Sequence, residues 1–508
     1  MPDDQRDVIA FLSTPSSYGA AVERVDIIET HASLVFLAGD RAHKLKRAVK
    51  YSYLDFSTAE WRRVACEAEL QLNRRTAPEL YLEARALTRS AQGELAFGNA
   101  GPPVDWIVVM RRFDQALVFD ELAKAGRLSV SSVIELTGQV AAFHQSAERR
   151  PDHGGAAALA AVVETNHGCL TAAREAGFSS ERIAEVRQRS SERLAVVGAV
   201  LDRRRAEGKV RRCHGDLHLR NVCLFEDRPT LFDCLEFSEE LASIDILYDL
   251  AFLLMDLEHR ELRDFANVVL NRYLDLTGED DGLPAMPLFL SLRAAIRAHV
   301  TATVLERTVG SGPRPAMAAE ARRYLDLSAQ FLQPRSCRLI AIGGLSGAGK
   351  STLAAALAPS LGARVLRSDV IRKQLFGVAL ETRLPARAYA PQASYRVYEA
   401  LRRKAEDALA AGYSVIVDAV ALKPEERQSF AAVAEAAAVP FSGLWLEAPA
   451  PTMDRRLRAR RRDASDASPE VLAQQLRQDS GPLDWVRVDA SGGAADCLAA
   501  ARRALGPV

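Results

Sequence analysis

The stretch GGLSGAGKST, residues 343–352, constrains this chain more than any other. Gly344-Leu345-Ser346-Gly347-Ala348-Gly349-Lys350-Ser351 satisfies G-x-x-x-x-G-K-[ST], with the apolar run RLIAIGG leading in and the helical stretch TLAAALAPSL leading out. Strand, glycine-rich turn and helix in that order is the context in which such a loop closes around phosphates. Gly344, Gly347, Ala348 and Gly349 let backbone N–H groups turn inward. Lys350 then sets a point charge on the β/γ oxygens of a nucleotide, and Ser351, followed by Thr352, offers a hydroxyl to Mg²⁺. Around the loop, RLIAIGG, ARVLRSD, SVIVDAV, SGLWLEA and WVRVDAS are short apolar runs separated by helical stretches. That alternation predicts a parallel sheet covered by helices.

Asp369, in RSDVIRKQLFG, falls at the carboxyl end of the second run, where sheets of this kind bind ligands. It either accepts a proton from an attacking hydroxyl or caps the helix that follows. Arg372, one turn on, can hold an anionic group. Asp418 ends the third run, VIVDA, and suits a Mg²⁺-bound water or a substrate. The arginine-rich stretch MDRRLRARRRDASDAS is a solvated helix face, an RNA-binding patch or a mobile lid that brings an arginine onto the transferred phosphoryl group. With the phosphate loop, the S-D-x-x-R segment and VIVDA, it makes residues 338–508 resemble the small-molecule kinase branch of P-loop proteins, which includes gluconate kinase, chloramphenicol phosphotransferase and zeta toxins. The resemblance implies that Lys350 and Ser351 hold ATP and Mg²⁺, that Asp369 activates the acceptor, and that Arg458 or Arg461 is the lid arginine.

A second constellation lies earlier. His214-Gly215-Asp216-Leu217-His218-Leu219-Arg220-Asn221 has the H-x-D-x-x-x-x-N spacing of a kinase catalytic loop. Asp216 must face the acceptor hydroxyl while Asn221 turns back to the metal, and LFDCLEF presents Asp233 as a second metal carboxylate. These residues make roughly 20–330 similar to the aminoglycoside phosphotransferase and choline kinase group, which shares the protein-kinase-like fold. The likeness implies Asp216 as catalytic base, Asn221 and Asp233 as Mg²⁺ ligands, Lys44 as the phosphate-binding lysine and Glu69 as its ion-pair partner. Lys46 points to the same strand face as Lys44, so sequence leaves the choice between them open. Asp245 and Asp249 match a segment that braces the catalytic loop, and His144 reads as a buried helix histidine. The chain departs from the kinase pattern in lacking G-x-G-x-x-G; its turn is Ala38-Gly39-Asp40. No acidic surface for a polycationic acceptor is evident.

The 508 residues exceed what one core supports, and Lys plus Arg equals Asp plus Glu at 66 each, so no net charge favours nucleic acid or an anionic membrane. The seven cysteines include no C-x-x-C pair, which argues against a disulfide framework or zinc ribbon. MPDDQRDVIAFL lacks the basic start of a secretory signal, and SIDILYDLAFLLMDLE is broken by Asp and too short for a bilayer. A cytoplasmic protein with no membrane partner is expected. The fold expected is α/β and α+β multidomain, with a two-lobed kinase-like fold in front and a P-loop domain behind. Its parts are an N-lobe over 1–112, a helical C-lobe over 113–333 and a P-loop kinase domain over 334–508. The function expected is ATP-dependent transfer to small-molecule hydroxyl acceptors at two nucleotide sites. The alternatives are one catalytic half with a regulatory nucleotide-binding half, and a nucleic-acid-end kinase, which the balanced charge disfavours.

Overall fold

Strand-forming alternation over residues 25–46 gives β1 (Val25–Glu29), β2 (Ser33–Ala38) and β3 (Arg41–Lys46), with Gly39 taking the positive φ of 58° that the β2–β3 turn requires. In the computed structural model, which describes all residues but 1, 2, 31, 52, 53, 99, 100, 308–313, 461, 462, 507 and 508, these strands join β4 (Tyr81–Arg89), β5 (Leu95–Phe97) and β6 (Pro103–Arg111). The sheet is antiparallel in the order β1-β2-β3-β6-β4-β5. The helix Ala59–Asn73 begins at Thr58, whose hydroxyl accepts from the Trp61 N–H at 3.3 Å, and it packs on β4 and β6 around Cys66, Tyr81, Val108 and Met110. The position of the turn corrects one reading. Ala38-Gly39-Asp40 joins the strand before the lysine strand to the lysine strand itself. The β1–β2 connection, where a kinase-like sheet covers phosphates, is instead a short turn closed by the Thr30 hydroxyl, which accepts from the Ser33 N–H at 2.9 Å.

Beyond β6 the chain is helical over Val130–Ser146, Gly155–Ala172 and Ser180–Ala206. Two antiparallel ribbons interrupt it, built from β7 (Val210–Arg212) with β10 (Ser243–Asp245), and from β8 (Val222–Phe225) with β9 (Arg228–Leu231). Residues 213–221 link β7 to β8, and Asp233 follows β9, so the ribbons present both ends of the catalytic segment.

The second sheet has five parallel strands in the order β12-β13-β11-β14-β15: β11 (Leu339–Gly343), β12 (Arg364–Arg367), β13 (Val415–Asp418), β14 (Phe441–Glu447) and β15 (Val486–Asp489). Helices cover it, and the continuous burial of LIAIG and VIVD is what a two-sided parallel sheet demands.

The chain separates into two compact units: residues 1–256 with 289–329, and residues 257–288 with 330–508. A boundary near 333 therefore leaves out a segment, 257–288, that belongs with the P-loop unit. The physical reason is the edge of that unit's sheet. β12 is the outer strand, and its Val365 N–H donates to Asn271 Oδ1 at 2.7 Å, while Asn267 and Asn271 donate to the Ala363 carbonyl at 3.0 and 2.9 Å. Arg364, 2% exposed, is bonded to Asp275 and Asp280 at 2.7 Å each. The helix Arg263–Thr277 thus satisfies an edge that would otherwise expose unpaired backbone. Among the described residues one segment, Glu279–Glu306, is long and apolar enough to cross a membrane, and 61% of its most apolar window is buried inside the protein.

Candidate active sites

In the first unit β3 brings two lysines onto one buried carboxylate. Lys44 Nζ donates to Glu69 Oε1 at 2.8 Å and Asp233 Oδ1 at 2.5 Å. Lys46 Nζ donates to Glu69 Oε2 at 2.6 Å and Glu236 Oε1 at 2.5 Å. The two lysines are therefore divided by their second partners. Lys44 faces Asp233, whose side chain is 41% exposed, whereas Lys46 is closed in against Glu236. Burial opposes the Lys44 ammonium, but Asp233 and Glu69 outweigh it and hold its pKa well above the usual lysine value. Asp233 itself adopts φ 61°, a left-handed conformation rare outside glycine, and its N–H donates to the Tyr81 hydroxyl at 3.1 Å.

The catalytic segment is fixed from beneath by Asp249, which accepts the N–H groups of His214 at 3.0 Å and Gly215 at 2.9 Å and lies 3.1 Å from His144 Nε2. Burial pushes the Asp249 carboxyl up, but His144 above all, with His214 and Arg293, brings it down to about 2. Asp245 is held by the buried Arg204. Both aspartates are thus braces, and His144 is a buried partner of one. Asn221 Nδ2 donates to Asp216 Oδ2 at 2.9 Å, and His218 Nε2 is 3.3 Å from the same oxygen. Burial raises the Asp216 carboxyl, yet His218, Arg297 and His214 overcome that and keep it ionised. Asp216, Asn221, Asp233 and Lys44 are oxygen donors and a cation of the kind that holds Mg²⁺ and a phosphate chain.

In the second unit the phosphate loop needs its glycines for contact as well as conformation. A Cβ on Gly344, at φ 131°, would stand 2.6 Å from the Leu446 carbonyl oxygen, and one on Gly347, at φ 84°, 2.6 Å from that of Met453. Ser351 Oγ donates to Asp418 Oδ2 at 2.6 Å, placing a hydroxyl and a carboxylate together as Mg²⁺ ligands require. Lys350 Nζ rests on the Leu345 carbonyl at 3.1 Å, and burial lowers its pKa. Asp369, Arg372 and Asp418 line one cleft of about 1660 Å³ with residues 346–353 of the loop. Burial, foremost, raises the Asp369 carboxyl; Ser465 opposes the shift and the Asp418 charge adds to it.

The arginine expectations fare differently from one another. Arg458 is 67% exposed, paired with Asp454 at 2.7 Å, and does not line the cleft. The stem of the helix Ala450–Ala459 turns it outward while Arg456, two positions earlier, and Arg460, two later, reach the cleft. Arg456 is tied to the carbonyls of Ala348, Ala490 and Gly492, while Arg460 keeps a buried Nη1 with no hydrogen-bond partner among the described residues. Arg461 lies outside the described residues. Sequence reasoning also missed Arg367, which bridges Asp463 at 3.0 Å and Asp418 at 3.5 Å. It missed Gln475, whose Oε1 accepts the Ser346 N–H of the phosphate loop at 2.8 Å. Neither carries a motif; each acts through a partner 51 or more positions away.

Two family models match the chain: that of the phosphotransferase enzyme family over residues 121–289 and that of an AAA domain over residues 339–482. The chain is a phosphotransferase enzyme in which a part matching the phosphotransferase family is fused to an AAA-type P-loop domain. It is 32% identical over 482 residues to uncharacterized proteins of Mycobacterium tuberculosis and Mycobacterium bovis, covering 92% of this chain and 93% of theirs. The chain belongs to the family of these mycobacterial proteins. Among solved structures, a choline/ethanolamine kinase family protein from Mesorhizobium loti is 13% identical (64% of this chain, 98% of that one, TM-score 0.37). A gluconokinase from Sinorhizobium meliloti is 22% identical (34% of this chain, 91% of that one, TM-score 0.25).

Proposed function

We propose that each unit transfers the γ-phosphoryl group of ATP to a hydroxyl of its own small-molecule acceptor. The observation that carries this reading is that each unit assembles a full set of parts from its own residues. In the front unit Lys44, anchored by Glu69, holds the phosphate chain, and Asp216 takes the acceptor proton. In the back unit the loop amides and Lys350 hold the phosphates, Asp369 takes the proton, and Arg460 meets the phosphoryl group. Asn221 with Asp233, and Ser351 with Asp418, would hold Mg²⁺, which when bound neutralises charge on the phosphate oxygens. In both sites Asp216 and Asp369 are the side chains set to move a proton, and the work left to the protein is positioning.

ATP turnover with water as acceptor tests this without knowledge of either substrate. Asp216→Asn and Asp369→Asn should each remove one component of Mg·ATP hydrolysis, lowering it by about 10²–10⁴ at that site as loss of a general base does. The double variant should be inactive. Full activity in the double variant would reject the assignment of both bases.

A further inference from the structure

We propose that Tyr81 and Asn73 are positioning residues that hold Asp233 where a Mg²⁺ ligand of the front unit must stand. The proposal rests on the reading of Asp233 as such a ligand. The backbone N–H groups of residues 232–235 fix the segment around it, and they are divided between two sides. Phe232 donates to the Asn221 carbonyl at 3.0 Å and Leu235 to the His214 carbonyl at 2.9 Å, so the ends of the segment hang on the catalytic loop. The two middle groups turn the other way. The Asp233 N–H donates to the Tyr81 hydroxyl at 3.1 Å, and the Cys234 N–H donates to Asn73 Oδ1 at 2.8 Å. Both acceptors are shut off from solvent, Tyr81 at 1% and Asn73 at 0% exposure. Buried backbone donors must be paired, and at such burial bulk water does not stand in for either side chain.

The backbone at Asp233 explains why the middle of the segment needs holding. Its φ is 61°, and a left-handed residue other than glycine persists only where its surroundings over-determine it. Tyr81 reaches it from the start of β4. There the pairing with β6 slips between Tyr81 and Glu83, a bulge of the kind that re-aims a side chain beside a site. Asn73 is the last residue of the helix Ala59–Asn73, one turn beyond Glu69, and its Nδ2 donates to the Glu69 carbonyl at 2.9 Å. That bond leaves the amide oxygen for Cys234. One helical turn is thus tied to both partners of Lys44, to Glu69 directly and to Asp233 through Cys234. The spacing between lysine and aspartate is thereby set by the helix and not by their attraction alone. Without the two acceptors Asp233 relaxes out of the left-handed region, and its carboxylate, 2.5 Å from Lys44 Nζ, stays with the lysine at the expense of the metal.

The test uses the whole protein carrying Lys350→Ala, which confines nucleotide to the front unit. AMPPNP binding is followed by calorimetry across Mg²⁺ concentrations in that parent and with Tyr81→Phe, Asn73→Leu or, as a control, Thr88→Val added. Thr88 is buried in the same strand but donates to the Ala96 carbonyl. Urea midpoints are measured alongside. Loss of either acceptor should raise the Mg²⁺ concentration for half-maximal binding by about threefold to tenfold, the range one hydrogen bond commands. Metal-free AMPPNP should bind as in the parent, because Lys44 keeps Glu69, and Thr88→Val should change neither quantity. A structural role alone would lower the urea midpoint and leave the Mg²⁺ requirement where it was. That result in both Tyr81→Phe and Asn73→Leu would overturn the assignment, as would an equal rise in Thr88→Val. A parent that binds no AMPPNP at any Mg²⁺ concentration would instead reject the nucleotide site of the front unit, and the assignment with it.

Discussion

Lys44 and Lys46 share a strand face and a carboxylate, yet their surroundings assign them different work. Lys46 is 1% exposed between Glu69 and Glu236, so Lys46→Met strands Glu236 and half of Glu69 without a counter-charge. Breaking such a pair costs about 3–5 kcal/mol, and the urea midpoint of the front unit should fall accordingly. Lys44→Met should instead weaken Mg·ATP binding with a smaller loss of stability, because its Asp233 partner is partly solvated. A second residue-scale prediction concerns Asp369. Its folded pKa is raised by burial, so the protein is destabilised by this group above the unfolded carboxylate range and relieved as the acid form is populated. Asp369→Asn should therefore raise the melting temperature at neutral pH while abolishing transfer at that site. The gain should vanish as pH falls through the ordinary carboxylate range, which paired thermal scans across pH would reveal. Asp216, Asn221 and the phosphate loop were legible in the sequence because their chemistry is compressed into a few consecutive positions. Arg367 and Gln475 were not, because what each does is set by a neighbour remote in the chain.

At the scale of elements, alternation of apolar runs with helices was enough to predict the parallel sheet, and the lysine strand and its helix followed from local pattern. The covering of β12 was not readable. Asn267, Asn271, Asp275 and Asp280 look like the polar face of an ordinary surface helix and its following turn, and nothing in their spacing names Ala363, Arg364 or Val365 as partners. A fragment comprising residues 334–508 should consequently aggregate, or unfold at lower urea than the same unit in the whole chain, since it exposes the β12 edge and frees a buried arginine. Arg364→Ala in the whole chain should act in the same direction, by about 3–5 kcal/mol for stranding two buried carboxylates. Light scattering and urea titration read both. A soluble 334–508 fragment of undiminished stability would show that the segment 257–288 is dispensable to the sheet.

For the molecule as a whole, the chain leaves the first unit after residue 256, serves the second as far as 288 and returns at 289, so neither unit is a contiguous length of sequence. Kinase type was legible at this scale because both motif sets are dense; the interleaving was hidden because connectivity alone does not say which core a helix joins. The central claim is that two nucleotide sites of unrelated design work in one polypeptide. Calorimetric titration of Mg·AMPPNP into the wild type, Asp233→Asn and Lys350→Ala tests it most directly. The account predicts two equivalents bound by the wild type and one by each variant, with a different site lost in each. A single equivalent in the wild type, removed by Lys350→Ala and untouched by Asp233→Asn, would contradict it.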